Sequence, residues 1–318
     1  MLLHICRFFL GMAMAALFLL WPTTASSQVE PGTFEFGGLQ RSYRLHLPAH
    51  APQPWPLVIV FHGFGGDGEN VLQQGRWVEK SAAAGFAVLA PDGSVEHENR
   101  AARFIGNPRS WNSGAGTGSP AQQRGVDDIG FVRALLDELL HLQPLDPSRI
   151  YATGFSNGAA MAFRVGLEMS ERIAAIAPVA NSLLVPPQPL ARPVSLLLIW
   201  GSADPLNPME GGSVTRSSGV VPRPSAKDSW HTWSGLLHCT GEPTQTALSD
   251  RVALRAQRHC DGGASSQWIT VDGLAHQWPG GRTYLRLISG PGSDAIDATD
   301  QIWRFFVEQP RRQPAAQR

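Results

Sequence analysis

An α/β architecture, with a mostly parallel central sheet and helices on both faces, is what the 318-residue sequence predicts, and three observations carry that prediction. Short runs rich in Val, Ile and Leu are apolar at every position rather than at alternate ones, as in strands buried on both faces. Between them lie segments with apolar residues three and four apart, the spacing of a helix that buries one stripe. The composition, 43% hydrophobic and 16% charged, supplies enough apolar side chains for a sizeable core.

The runs read as strands are 43–47, 57–61, 86–90, 149–153, 194–200 and 267–271. The clearest helix spans 126–142, where Ile129, Val132, Leu136, Leu139 and Leu140 share a face and Asp127 and Asp128 sit at the positive end of the dipole. A second helix, 294–308, closes the fold. Strands alternating with helices imply right-handed crossovers between parallel neighbours. Stretches 106–125, 185–193 and 207–225 are rich in Gly, Ser or Pro and read as loops. None resembles a linker to a second periodic unit, so residues 28–309 are expected to form one mature domain and 310–318 a disordered tail.

Lysine plus arginine number 26 and aspartate plus glutamate 26, so no net field gathers nucleic acid or an anionic membrane, and no nucleic-acid partner is expected. At the N-terminus an apolar run, 8–21, follows Arg7 and leads into Pro22 and the small residues up to Ser27. That is the layout of a secretory signal peptide over residues 1–27. The run is shorter than the ~20 residues a spanning helix needs, so stable membrane insertion is not expected, an uncleaved anchor being the alternative. Cleavage would remove Cys6 and leave Cys239 and Cys260, an even number in an oxidising compartment. A single disulfide follows, two buried free thiols being the alternative. The ten histidines are scattered, and neither CxxC nor HExxH occurs, so neither a metal nor a cofactor is expected.

The most informative stretch is Gly154-Phe155-Ser156-Asn157-Gly158, a GxSxG directly after an apolar strand and directly before a small-residue, helix-favouring run. Short motifs recur by chance, but strand, turn and helix in that order describe a nucleophile elbow. The glycines are needed because a side chain at either position would clash where the strand reverses into the helix. A serine hydroxyl attacks only when a base takes its proton, and the base needs an acid to fix its tautomer. In this arrangement they follow in the order Ser, Asp, His. Asp204 stands in the tight loop after strand 194–200, and His276 in the loop after strand 267–271. For Asp204 the alternative is an ordinary turn residue ahead of Pro205. His231, His238 and His259 are read as surface or packing residues, and His62 as a brace for its own turn. Oxyanion donors are expected from the backbone N–H of Asn157 and of Phe64, the latter in the loop His62-Gly63-Phe64-Gly65-Gly66. Trp111, the 207–225 loop and Trp278 are expected to form an aromatic substrate cleft.

With these residues in hand the chain resembles the secreted esterases of the α/β-hydrolase superfamily that include poly(3-hydroxybutyrate) depolymerases and feruloyl or acetylxylan esterases. The resemblance rests on Arg41-Ser42-Tyr43-Arg44-Leu45-His46-Leu47-Pro48, His62-Gly63, Val126-Asp127-Asp128-Ile129-Gly130-Phe131, the segment Gly154 to Met161, Trp200-Gly201 through Asp204, and His276-Gln277-Trp278-Pro279-Gly280. It implies nucleophile Ser156, acid Asp204, base His276, and a bridge between Cys239 and Cys260. Residues 111–116 depart from the pattern, since relatives often carry cysteines there. The expected activity is a secreted serine ester hydrolase working through an acyl-enzyme. Its expected type is polyhydroxybutyrate depolymerase-like, acting on soluble hydroxyalkanoate oligomers or aryl esters, with feruloyl or acetylxylan esters of plant cell-wall polysaccharides as the alternative. With no room seen for a tethering module, soluble esters are expected to be cut faster than crystalline polymer. A serine peptidase and a non-catalytic polymer-binding protein are the rival classes.

Overall fold

The computed structural model describes residues 29–114, 118–216 and 219–309. The expected signal peptide and C-terminal tail lie outside the described residues. The strands are β1 (Val29–Phe36), β2 (Leu39–His46), β3 (Trp55–Phe61), β4 (Ala87–Pro91), β5 (Leu145–Phe155), β6 (Ala175–Val179), β7 (Ser195–Gly201), β8 (Gly212–Arg216), β9 (Gly219–Arg223), β10 (Thr244–Ser249), β11 (Val252–Gln257) and β12 (Ser266–Val271). The helices are α1 (Gly68–Gln74), α2 (Trp77–Ala84), α3 (Pro120–Gln123), α4 (Asp128–Leu142), α5 (Asn157–Glu168), α6 (Ala226–Leu236), α7 (Arg286–Ser289) and α8 (Ala298–Glu308).

Ten strands form one sheet in the order β1-β2-β4-β3-β5-β6-β7-β12-β11-β10. The strands from β4 to β12 in that order are parallel, and an antiparallel pair extends each edge. Every residue of β3 and β7 is buried, and the reason is two-sided packing. Leu57, Ile59 and Phe61 join one core with α4, α5 and α6, while Val58 and Val60 join a second with α1, α2 and α8. This is the expected α/β fold.

All six expected strands are present. Those left unread share weak patterns. β10 is exposed throughout and polar, as suits an edge strand with no buried face. β6 carries Pro178, a residue that reads as a strand breaker but here lies inside a parallel ladder opposite Gly154. The 207–225 stretch, read as loop, contains the β8–β9 hairpin, and the 106–125 stretch contains α3, whose N-cap is Ser119. The terminal helix starts at Ala298 rather than 294, because the Asp297 carboxylate accepts the Asp300 N–H and caps it there. At α4 the two acids divide their work. Asp127 caps the helix through Gly130 N, whereas Asp128 turns inward to a buried 2.8 Å ion pair with Arg41 and accepts Asn112 N.

Cys239 and Cys260 are bridged, closing a loop of sequence separation 21 between α6 and the end of β11. In the chain-entropy account a loop of that size stabilises the fold by roughly 3 kcal/mol. A chain beginning at Val29 should therefore show no free thiol when denatured without reductant and two after reduction. Two thiols labelled without reductant would remove the bridge.

Candidate active site

Ser156 stands between the last residue of β5 and the first of α5, with φ 55° and ψ −117°. A positive φ on a non-glycine residue is strained by about 1–3 kcal/mol, and it persists only where the surroundings enforce it. They do so here. Ser156 N donates to Val179 O, and Asn181 Nδ2 donates to Ser156 O at 2.8 Å, so β6 and the residues just after it hold the turn. The flanking glycines behave as the motif requires. A Cβ on Gly154 would sit 2.4 Å from Gly158 O, and one on Gly158 would sit 2.1 Å from Phe61 O and 2.6 Å from His62 O. All are backbone atoms that cannot swing away. Gly158→Ala should therefore lower unfolding stability by several times the ~1 kcal/mol that helix propensity alone would add. Gly235→Ala is the control, because its Cβ meets nothing within 4 Å in helix α6 and should be neutral or stabilising. Chemical denaturation of both variants checks this, and equal stability would show that the elbow tolerates a side chain.

The structure brings Ser156, Asp204 and His276 together. Ser156 Oγ donates to His276 Nε2 at 2.9 Å, and His276 Nδ1 donates to Asp204 Oδ2 at 2.7 Å. The three side chains come from the ends of β5, β7 and β12, which lie within four consecutive positions of the sheet. Asp204 also does what its turn position suggested. Its Oδ1 accepts Leu206 N and Asn207 N, so one carboxylate both closes the loop and faces the imidazole. Asp204 and His276 are buried while Ser156 is partly open, so the pair sits beneath a reachable hydroxyl. An imidazole held in this way can take a hydroxyl proton from one side while its other N–H stays fixed.

A cleft of about 560 Å³ opens over this pair, and both Phe64 and Asn157 line it. Asn157's side chain is committed elsewhere. Its Oδ1 accepts Trp111 N and its Nδ2 donates to Ser113 Oγ, which anchors the first residue of α5 to the 111–113 segment. His62 is fully buried, donates from Nδ1 to Gly63 O and accepts Gly93 N at Nε2. Burial is the main cause that pushes its pKa down, so the ring is a neutral brace for the Phe64 loop, as expected.

The expected aromatic cleft needs correction. Trp111 is 0% exposed, packs edge-to-face on Phe61 and donates its indole N–H to His62 O. Trp278 is 1% exposed, packs on Trp77 and Phe155 and donates to Thr299 Oγ1. Neither lines the cleft. Both indoles find buried apolar neighbours and a hydrogen-bond acceptor, so they brace the site from behind. The apolar walls come instead from Phe64, Phe104, Leu206, Tyr284, Leu285 and Ile288. The 207–225 stretch does contribute, through Asn207 and Arg223. Sequence reasoning missed Asn181, Arg223 and Gln277. Gln277, beside His276, donates to Tyr284 O and accepts Tyr284 N, tying down the segment from which Tyr284, Leu285, Ile288 and Ser289 line the cleft. Its adjacency to His276 was the available signal.

Among the described residues no group of three or more His, Cys, Asp or Glu could hold a metal ion, and no helix is long and apolar enough to cross a membrane. Residues 48–240 match the family model described as Phospholipase/Carboxylesterase. NocK of Nocardia uniformis subsp. tsuyamanensis, named as an esterase, is 31% identical over 85% of this chain and 80% of its own length. Feruloyl esterase B of Piromyces equi is 28% identical over 70% of this chain, which spans 39% of that longer protein. The solved acetyl xylan esterase from Aspergillus awamori superposes with a TM-score of 0.54 at 14% identity, covering 87% of this chain and 99% of that one, a likeness of fold. The chain thus belongs to the phospholipase/carboxylesterase family and is a carboxylic ester hydrolase of the α/β-hydrolase fold.

Proposed function

We propose that the chain hydrolyses esters through an acyl-enzyme on Ser156, with His276 as base and Asp204 as its orienting acid. The observation that carries this is the continuous relay Ser156 Oγ to His276 Nε2 and His276 Nδ1 to Asp204 Oδ2 beneath an open cleft. Ser156 Oγ attacks the ester carbonyl carbon as its proton passes to Nε2. The oxyanion that forms is met by the backbone N–H groups of Asn157 and Phe64. As the intermediate collapses, His276 returns the proton to the leaving alcohol. A water, deprotonated in turn by His276, then attacks the acyl-enzyme and releases the acid while Ser156 regains its proton.

The substrate we favour is a soluble hydroxyalkanoate oligomer. A concave cleft of about 560 Å³ is of a size to enclose one chain end or one side group. Feruloyl or acetylxylan esters are the second reading, supported by the names of the relatives and by Phe64, Phe104 and Tyr284 at the cleft. We also propose that the protein is exported, on the signal-peptide layout of residues 1–27 and the Cys239–Cys260 bridge. A panel of aryl esters, feruloyl esters, acetylated xylan, hydroxybutyrate oligomers and crystalline polyhydroxybutyrate granules tests the substrate. Oligomers should turn over well ahead of granules and of feruloyl esters. Granule clearing at rates rivalling the oligomers would overturn the soluble-substrate reading, and a dominant feruloyl rate would select the second one.

A further inference from the structure

The chain's charges cancel overall, but not around the mouth of the cleft. Residues 99–126 and 273–293 contain neither Asp nor Glu, yet the first stretch carries Arg100, Arg103, Arg109 and Arg124 and the second Arg282 and Arg286. Arg109 and Arg124 are paired with Asp92 and Glu98. Arg100, Arg103, Arg282 and Arg286 are exposed, with no ion pair among the described residues. Large apolar side chains are exposed in the same places. Phe64, Phe104 and Ile105 form one lip, because the Phe104 ring covers Gly65, where a Cβ would sit 2.4 Å from it, and Ile105 beside it is 85% exposed. The other lip is the run 282–288, exposed at every residue, in which Tyr284, Leu285 and Ile288 line the cleft and Leu287 is fully open to solvent. The two lips hold seven of the eleven large apolar side chains that are exposed among the described residues, so this surface is gathered at the cleft mouth rather than scattered. The fold holds it out. Gln277 binds Tyr284 N, Tyr284 O and Gly290 O, His276 N donates to Ser289 O, and Leu285 is kept at φ 49°, a conformation costly for any side chain.

We propose that the two lips form a docking surface for a lipid bilayer with anionic headgroups, on which the chain sits as a peripheral protein with its cleft facing the acyl chains. Arginines interleaved with apolar residues, Arg103-Phe104-Ile105 on one lip and Leu285-Arg286-Leu287-Ile288 on the other, fit a surface that is apolar beneath a negatively charged layer. Leucine, isoleucine and phenylalanine enter the acyl boundary, while the guanidinium groups stay level with the phosphates and bind them in pairs of hydrogen bonds. Other occupants match less of this pattern. A second copy of the chain, joined through the same patch on both subunits, would bring like arginines together. A neutral polyester face would meet the apolar residues and leave the arginines without a counter-charge. The proposal goes beyond the ester-hydrolase reading and does not rest on it, because small soluble esters reach the same cleft in the undocked protein. Docking adds a second supply, esters dissolved in the lipid, which reach Ser156 without crossing water.

Co-sedimentation with vesicles of phosphatidylcholine alone, and of phosphatidylcholine with about one-third phosphatidylglycerol, tests the proposal. The protein should bind the mixed vesicles well and the neutral ones weakly, and added salt should weaken the binding to the mixed ones. Ile105→Ser combined with Leu287→Ser should lower partitioning onto mixed vesicles by about 100-fold, on the order of tenfold for each side chain no longer moved out of water. Arg282→Gln combined with Arg286→Gln should lower it by about 25-fold, roughly fivefold per charge, with little change on neutral vesicles. None of these four residues lines the cleft, so turnover of p-nitrophenyl butyrate without vesicles should match the wild type and shows that both variants are folded. Equal binding of the wild type to the two vesicle types, or binding to neither, overturns the proposal, and this comparison decides the matter even where the variants fail to fold. Unchanged binding in both variants also overturns it. So does a dimer, seen by light scattering, that Leu287→Ser dissociates, since the lips would then belong to a second copy. Vesicle binding is read without turnover, so a failure of ester hydrolysis itself is seen separately, as no cleavage of the butyrate.

Discussion

Replacing Ser156 or His276 by alanine should lower kcat/KM on a p-nitrophenyl ester by about 10⁶, and combining the two should lower it no further. Hydroxyl and imidazole act as one unit. Without Nε2, 2.9 Å from Oγ, the serine keeps its proton and does not attack, and without Oγ the imidazole has no proton to take. A loss of that size corresponds to about 8 kcal/mol of transition-state stabilisation, at 1.36 kcal/mol per decade. The residual rate should still exceed that in water, because the substitutions leave untouched the Asn157 and Phe64 amides proposed as oxyanion donors. Steady-state kinetics on the two single variants and the double variant check this. A double variant many decades slower than either single one would mean that the two side chains act independently.

Asp204→Asn should cost about 10⁴ in kcat with little change in folding. The geometry explains why so small a change has such an effect. Asp204 Oδ1 accepts two loop amides, Leu206 N and Asn207 N, so an asparagine keeps its carbonyl oxygen there and turns its NH₂ toward His276. An NH₂ facing Nδ1 drives the imidazole proton onto Nε2, the atom that must receive the serine proton. The thermal midpoint should stay close to that of the wild type, since the loop bonds survive. A near-normal rate in this variant would move the acid to another residue.

The parts of the site that could be read from the sequence are those where chemistry and backbone geometry demand the same residue. Ser156 is announced by Gly154 and Gly158, neither of which has space for a Cβ. Asp204 and His276 are announced by their places after β7 and β12, strands so apolar that their ends are plain. Burial on both faces made β3 and β7 legible, and its absence hid β10. Trp111 and Trp278 misled because a tryptophan in a glycine-rich loop carries the same sequence signal whether it faces a ligand or a core. Asn181 and Arg223 were out of reach for a different reason. Asn181 follows and Arg223 ends a strand that the pattern concealed, β6 through Pro178 and β9 within a stretch rich in Gly, Ser and Pro, and without the strand no sequence position points at the cleft.

The separation of the reacting groups along the chain has a consequence in time. Ser156 and His276 are 120 residues apart, and His276 follows β12, a strand that must insert between β7 and β11 before its loop reaches the serine. A polypeptide made N-terminus first carries its nucleophile through more than a third of its synthesis with no base beside it. During that interval the Ser156 hydroxyl is chemically ordinary, as inert as any surface serine. Hydrolysis begins only when the last parallel strand closes the sheet, so the fold itself times the onset of activity, and a chain cut short before residue 276 is harmless to any ester it meets.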